Sequence, residues 1–306
     1  MSQTDRFDGL PSRWQSALLL PLVLLAAFSH ASNTPFNDPQ TNVPGGIYVW
    51  NIPSGATTIT FQERPVFVLD DYAIVDIPMS QAPGQAALQY TLNDQVQTHS
   101  FNISDKQYTE QHIELENQAL VTPPPEVRDR ISHELQRQRA LYRQHSVAPK
   151  LERGFTMPLE GIVTSLFGHR RFFNGKPRSP HSGLDIAAPS GTPIIAAAGG
   201  KVTLADDLYF NGNTIFVDHG RGLITMYCHM SELKVEEGDV VAQGDVIGLV
   251  GSTGRSTGPH LHWSVSLAGH RVDPQTFTRV LNNITASLAA PEALKPKATG
   301  AALEEN

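Results

Sequence analysis

A single cysteine, Cys228, stands in a chain of 306 residues. One thiol makes no internal disulfide and no cysteine-based zinc ribbon, so the fold rests on an apolar core or on a metal held by other ligands. Long apolar runs are scarce too. The stretch from Ala17 to Phe28, ALLLPLVLLAAF, is interrupted by Pro21 and falls short of the roughly 20 residues a membrane-spanning helix needs. Positive charge is limited: the net charge is -7, and between residues 150 and 280 acidic and basic side chains balance. A basic stripe is therefore missing, which argues against a nucleic-acid partner. The sequence also has no HExxH, so a helix-borne glutamate base beside a metal is not expected.

What is present begins with a leader. Arg6 and Arg13 precede the apolar run, and Ser29 and Ala31 follow it at small-residue spacing. This predicts a signal peptide over residues 1–31, cleaved after Ala31, and an exported protein, periplasmic or secreted. An uncleaved anchor or a buried helix is the competing reading. No cysteine follows the cleavage site, so no lipid anchor and no stable membrane anchor after cleavage are expected.

Residues 32–46, rich in Pro, Asn, Gly and Thr, read as a flexible leader. From Ile47 to about Val121, short runs such as TTITF, YAIVDIPM and AALQYTLND alternate with turn residues. That pattern predicts a small β-sandwich-like domain over 32–122, with no chemical constellation; His99 and His112 read as lone, solvated strand residues. TPPPE at 122–126 marks a boundary. A charged helix with a thin apolar stripe of Ile131, Leu135, Leu141 and Tyr142 then fills a connecting segment, 123–150. Residues 151–282 are Gly-punctuated strands with little room for helix, an antiparallel β domain. The Ala, Pro, Lys and Glu bias of 283–306 predicts a disordered tail.

The chemistry concentrates in that second domain. In STGPHLHW, His260 and His262 are two residues apart. In an extended strand Leu261, Trp263, Val265 and Leu267 share one face, and His260, His262, Ser264 and Ser266 the other. Upstream, in HSGLDIAAPSGTP, His181 and Asp185 are four apart; Gly183 and Pro189 argue against helix, and an even spacing on a strand again shares a face. Two imidazoles and one carboxylate (His181, Asp185, His262) suit one zinc ion and leave a fourth position open for water. His260 lies on the face of His262, and His229 ends a strand on the face of Tyr227. A zinc hydrolase needs a proton acceptor and a donor, and both histidines are candidates. Cys228 reads as a small buried residue rather than a nucleophile. Arg255 reads as an exposed loop arginine, with substrate contact as the competing reading, Gly254 and Gly258 as turn residues, His219 as structural, His169 and His270 as loop or rim residues.

Together HSGLDIAAPSGTPIIAA, YCHMS and GSTGRSTGPHLHWSV, with FGHRR at 167–171 and VDPQTF at 272–277, resemble the lysostaphin/LytM-type zinc endopeptidases. The resemblance covers about 155–278. It implies a mainly β architecture whose C-terminal antiparallel sheet domain is catalytic. It implies one Zn2+ held by His181, Asp185 and His262, and His229 and His260 as the catalytic pair, with His260 assisting deprotonation of water and protonated His229 stabilising the oxyanion, or the two roles exchanged. The implied substrate is the stem peptides of bacterial peptidoglycan, with room for protein regulators. Two other readings compete: a non-catalytic regulator of other wall hydrolases, whose mark is a lost ligand, and a secreted bacteriolysin.

Overall fold

In the computed structural model, which describes residues 34–147 and 154–289, strands predominate, with three α-helices and one short 3-10 helix among the described residues. The signal-peptide reading of 1–31 and most of the tail fall outside the described residues.

The N-terminal region forms two sheets. Strand Ile47–Asn51 pairs antiparallel with Tyr72–Asp76, which pairs with Phe67–Leu69. The long hairpin Gly84–Leu92 and Gln95–Ile103 pairs with Thr57–Phe61. Alternation sorts the first sheet's side chains. Tyr48, Trp50, Ala73 and Val75 face the hairpin sheet and pack on Leu88, Phe101 and Ile103. Ile47, Val49, Phe67, Leu69 and Ile74 point the other way, into the core of the C-terminal region. One sheet is thus buried on both faces, so the two halves share a core.

Two expectations fail here. His99 is buried, not solvated: its Nε2 lies 2.8 Å from Tyr48 Oη and its ring stacks on Trp50. Strand alternation puts it on the inner face opposite Leu88, where burial pushes it down to about 4 and keeps it neutral. Nor is the stretch after 33 a loose leader. Phe36, Thr41 and Val43 are buried, and Asn37 clamps Val49 through its backbone N–H (2.8 Å) and carbonyl (2.6 Å).

The C-terminal region is built on one large sheet. Its strands run in the order Val240–Val241, Gly200–Leu208, Gly212–Asp218, Leu223–Met230, His260–Leu267, Leu184–Ala187, Ile162–Ser165. All pairings along this path are antiparallel. Leu261, Trp263, Val265 and Leu267 enter one core, as their period of two requires. That core is closed by helix Pro274–Ala289 through Phe277, Val280, Leu281 and Ile284. This corrects the disordered tail predicted from 283: residues 283–289 continue a helix whose apolar residues recur at i, i+3, i+4 and i+7, capped by Asp273 Oδ1 accepting from Gln275 N (3.1 Å).

The opposite face of the sheet is also covered. Helix Arg128–Tyr142 buries Leu141 and Tyr142 against Leu204, Phe216, Ile224, Met226 and Cys228. Its exposed flank adds ion pairs from Arg137 to Asp206 and Glu237, exposed contacts of the kind worth ~0–1 kcal/mol each. Ser264 and Ser266, on the polar side of their strand, are therefore buried rather than solvated. Strand Glu110–Ile113, from the segment before that helix, joins Arg170–Phe173 in parallel.

Candidate metal and catalytic site

The pairing of His260–Leu267 with Leu184–Ala187 puts Asp185 directly opposite His262, and opposed residues share a face. His181 arrives differently from the sequence expectation. It precedes the strand, in a segment held to residues 168 and 169 by Gly168 N–H donating to His181 O and His181 N–H donating to His169 O, both at 2.8 Å. Gly183 makes this approach feasible: a Cβ there would sit 2.4 Å from Trp263 O and 2.8 Å from His262 Cε1.

Three donor atoms meet. His181 Nε2 lies 2.9 Å from Asp185 Oδ1 and 3.0 Å from His262 Nδ1, which lies 2.7 Å from the same Oδ1. The outer nitrogens decide which atoms carry protons. His181 Nδ1 is 2.7 Å from Leu166 O, an acceptor only, so Nδ1–H donates there and Nε2 is bare. Ser264 Oγ donates to Ser182 O (2.9 Å), so it accepts from His262 Nε2–H at 3.0 Å, and Nδ1 is bare. Burial pushes His262 down to about 4 and lowers His181, keeping both rings neutral. Two imidazole lone pairs and a carboxylate oxygen thus converge with no proton among them. Such a cluster is repulsive by itself and is relieved by a cation. Two neutral imidazoles and a carboxylate fit zinc in chemistry and in number.

A further layer holds the donors. Asp185 Oδ2 accepts from Arg171 Nη2. Ser165 Oγ lies 3.0 Å from His181 Nδ1 and accepts from Arg171 Nη2 at 3.2 Å. Gln111 Oε1 accepts from both Ser165 Oγ (2.9 Å) and Arg171 Nε (3.1 Å). Gln111 lies in the Glu110–Ile113 strand, in the region where the sequence offered no chemistry. Its only signal is a three-dimensional one, the parallel pairing with Arg170–Phe173.

The remaining histidines stand beside the cluster. Strict alternation would send His229 into the core with Tyr227. Instead the register shifts opposite this end of the strand, and His229 adopts φ 67°, in the left-handed region. The turn brings it round to the face of Cys228 and His262, its ring centroid 4.8 Å from that of His260 and 6.2 Å from that of His262. His229 Nδ1–H donates to Thr253 O (2.8 Å), and His260 Nδ1–H to Gly258 O (2.8 Å), leaving both Nε2 atoms bare. Burial pushes His229 down to about 3. Burial thus favours the neutral ring, whose bare Nε2 can accept a proton or a hydrogen bond.

Two adjoining cavities open on these groups. One, of about 510 Å³, has His181, His229 and His262 on its wall and residues of the Arg128–Tyr142 helix, Leu135, Gln138 and Tyr142, facing them. The other, of about 310 Å³, reaches Asp185, His229 and His260. Arg255 lines both and is not an exposed loop residue: its guanidinium lies between the Phe173 and Phe210 rings, 4.5 and 4.7 Å from their centroids. Gly254 does the turn work expected of it, with φ 68° and no room for a Cβ against Gly212 N. Gly258 meets no such constraint. His219 is sealed in the core between Gly199 O (2.8 Å) and Thr225 Oγ1 (2.7 Å). Cys228 is buried, and burial pushes its thiol well up, as suits an inert apolar residue. His169 stands at the edge of the cluster, Nδ1 3.3 Å from Ser165 Oγ. His270 binds Asp76 Oδ2 (2.7 Å), joining the two halves of the molecule.

Comparison with known proteins adds an independent line. The model of peptidase family M23 matches residues 179–274, and that of the peptidase family M23 N-terminal domain matches residues 40–106. The crystal structure of a putative peptidase M23 from Pseudomonas aeruginosa is 37% identical with a TM-score of 0.63, covering 81% of this chain and 97% of that one. Among curated proteins, the DD-carboxypeptidase/endopeptidase Mpg of Neisseria meningitidis is 41% identical over 137 residues, 44% of this chain and 32% of the relative. The peptidoglycan DD-endopeptidase ShyA of Vibrio cholerae is 38% identical over 112 residues, 36% of this chain and 26% of the relative. The matched stretch spans about a third or less of these curated relatives.

Proposed function

The chain belongs to peptidase family M23, and on that premise we propose that it is a zinc-dependent endopeptidase hydrolysing peptide cross-links of bacterial peptidoglycan. The observation that carries the reading is the convergence of three bare donor atoms, from His181, Asp185 and His262, on one point. The names of the relatives, peptidoglycan DD-endopeptidase and DD-carboxypeptidase/endopeptidase, support the substrate class. Such a substrate places the protein outside the cytoplasm, periplasmic or secreted, in keeping with the leader read from residues 1–31. We take 151–282, extended to Ala289 by the rest of the Pro274–Ala289 helix, as the catalytic unit.

Zinc bound by these three residues would supply an acidified water and an electrophile for the scissile carbonyl. The protein's own groups handle the protons. His260, only partly buried, receives a proton on its bare Nε2 and returns it to the leaving amine. Its Nδ1–H, held by Gly258 O, fixes the tautomer that permits this. His229, kept neutral by burial, accepts a hydrogen bond on Nε2 and orients the attacking water. His181 and His262 cannot share this work, because their outer nitrogens are committed to Leu166 O and Ser264 Oγ. Replacing His229 with Ala should leave zinc bound and lower cleavage by ~10²–10⁴-fold, the usual size of a lost acid–base partner. Loss of the metal from that variant, or turnover near wild type, contradicts the role.

The direct test is mass analysis of muropeptides released from purified sacculi. Wild type should convert cross-linked dimers to monomers, and His181→Ala should release none. Intact dimers in both samples would favour a non-catalytic regulator.

A further inference from the structure

Four arginines, Arg171, Arg178, Arg255 and Arg271, line the larger cavity, and no Asp or Glu does; Asp185 alone among acids lines the smaller one. Arg171 is spoken for by Asp185, Ser165 and Gln111. Arg178 donates to the backbone carbonyls of Pro177 and Val121, and Arg271 lies over the Tyr142 ring, 4.6 Å from its centroid. Arg255 differs from Arg171 and Arg178 in having no acceptor, and from Arg271, whose guanidinium likewise has none among the described residues, in lining both cavities and in lying against two rings instead of one. Among the described residues no protein acceptor takes any of its five N–H groups. It is nevertheless half-buried, its guanidinium over the Phe173 and Phe210 rings, and its own backbone N–H is fixed to Phe210 O at 2.8 Å. Burial, with Arg171 and Arg178 nearby, brings it down to about 10, so it remains charged at neutral pH. A guanidinium clamped by two rings, with its fork unfilled and beside a metal cluster, is organised in advance for a planar anion.

Resting on the peptidase reading above, we propose that Arg255 is a substrate-binding residue that takes a peptide carboxylate next to the scissile bond, between the Phe173 and Phe210 rings. Its place on both cavities, each also lined by His229, puts the bound carboxylate beside the reacting amide. The preference follows for peptides carrying a free carboxylate near the cut over their carboxamide counterparts. A cross-link peptide offers two sources of that group: the side-chain carboxylate of a diamino diacid, and the C-terminal carboxylate of a D-alanine.

The test uses the full chain carrying His229→Ala, so that peptide is not consumed. Its binding to a fluorescently labelled stem tetrapeptide is followed by anisotropy with three probes: unmodified, amidated on the diacid side chain, and amidated at the C-terminus. One amidation should weaken binding at least tenfold, and which one identifies the carboxylate. In Arg255→Met that factor should fall to within twofold while the affinity for the amidated probe is kept; Arg255→Lys, a point charge without the fork, should retain part of it. Equal binding of all three probes, no binding of the unmodified probe, or a tenfold factor surviving in Arg255→Met overturns the proposal. Should Arg255→Met lose its native circular dichroism, the comparison of probes on the Arg255 protein and on Arg255→Lys decides. A chain that shows the preference yet releases nothing from sacculis overturns the peptidase reading and not this site; cleavage without the preference overturns this site alone.

Discussion

Gln111→Leu probes the most remote part of the metal site. Gln111 Oε1 is the shared acceptor for Ser165 Oγ at 2.9 Å and Arg171 Nε at 3.1 Å. Leucine is close in volume but accepts nothing, so the substitution removes both bonds and leaves Arg171 Nε without its partner. The Arg171 side chain is only 16% exposed, which limits the water that can replace the lost acceptor. A hydrogen bond to a charged group contributes ~1.5–3 kcal/mol. Outer partners of metal ligands are typically worth ~10–100-fold in metal affinity, about 1.4–2.7 kcal/mol. The two routes agree, and a 10–100-fold rise in zinc Kd is expected. Competition against a chromophoric chelator measures it without any turnover. Gln111→Glu keeps an acceptor oxygen for both donors and should stay near wild type. A Kd for Gln111→Leu within twofold of wild type, or an equal weakening in Gln111→Glu, would refute the idea that the Glu110–Ile113 strand orients the ligands.

Other consequences are more local. Gly183→Ala forces a methyl against Trp263 O and His262 Cε1, at 2.4 and 2.8 Å before relaxation; urea unfolding should show a loss of ~1–3 kcal/mol together with weaker zinc binding. His219 has a folded pKa of about 4, lowered by burial, against an ordinary value of 6.5. Its neutral form is the one the fold accepts, so its contribution is complete above pH 6.5 and is lost as pH falls from 6.5 towards 4, by up to ~3 kcal/mol. Urea midpoints at pH 7.5 and 4.5 should therefore differ less in His219→Gln than in wild type, and equal differences would contradict this.

The parts of the molecule that follow strict alternation were legible in its sequence. The HLHWSVSL strand shows its core face by eye, and Asp185 and His262 lie across from one another because antiparallel neighbours share faces. His181 was legible as a member of the cluster by residue type and proximity, although a loop rather than a strand delivers it. His229 shows where the rule stops. A left-handed φ and a register shift turn it to the opposite face from the one its parity assigns, and no local residue pattern announces that. Arg255 was misread because its burial depends on Phe173 and Phe210, which come from distant segments. Gln111 acts through a parallel pairing with Arg171, sixty residues further along the chain. The Pro274–Ala289 helix, by contrast, carried its signals in full: an Asp cap and a regular apolar stripe, hidden by the Ala-rich composition that follows.

On the reading above, His181, Asp185 and His262 hold one zinc ion. Elemental analysis of purified wild type and of His262→Ala tests it most directly. The expected result is one zinc per chain in the first and essentially none in the second, with the same circular dichroism. Wild-type protein that takes up no zinc, or a His262→Ala variant that keeps it at full stoichiometry, would contradict the account.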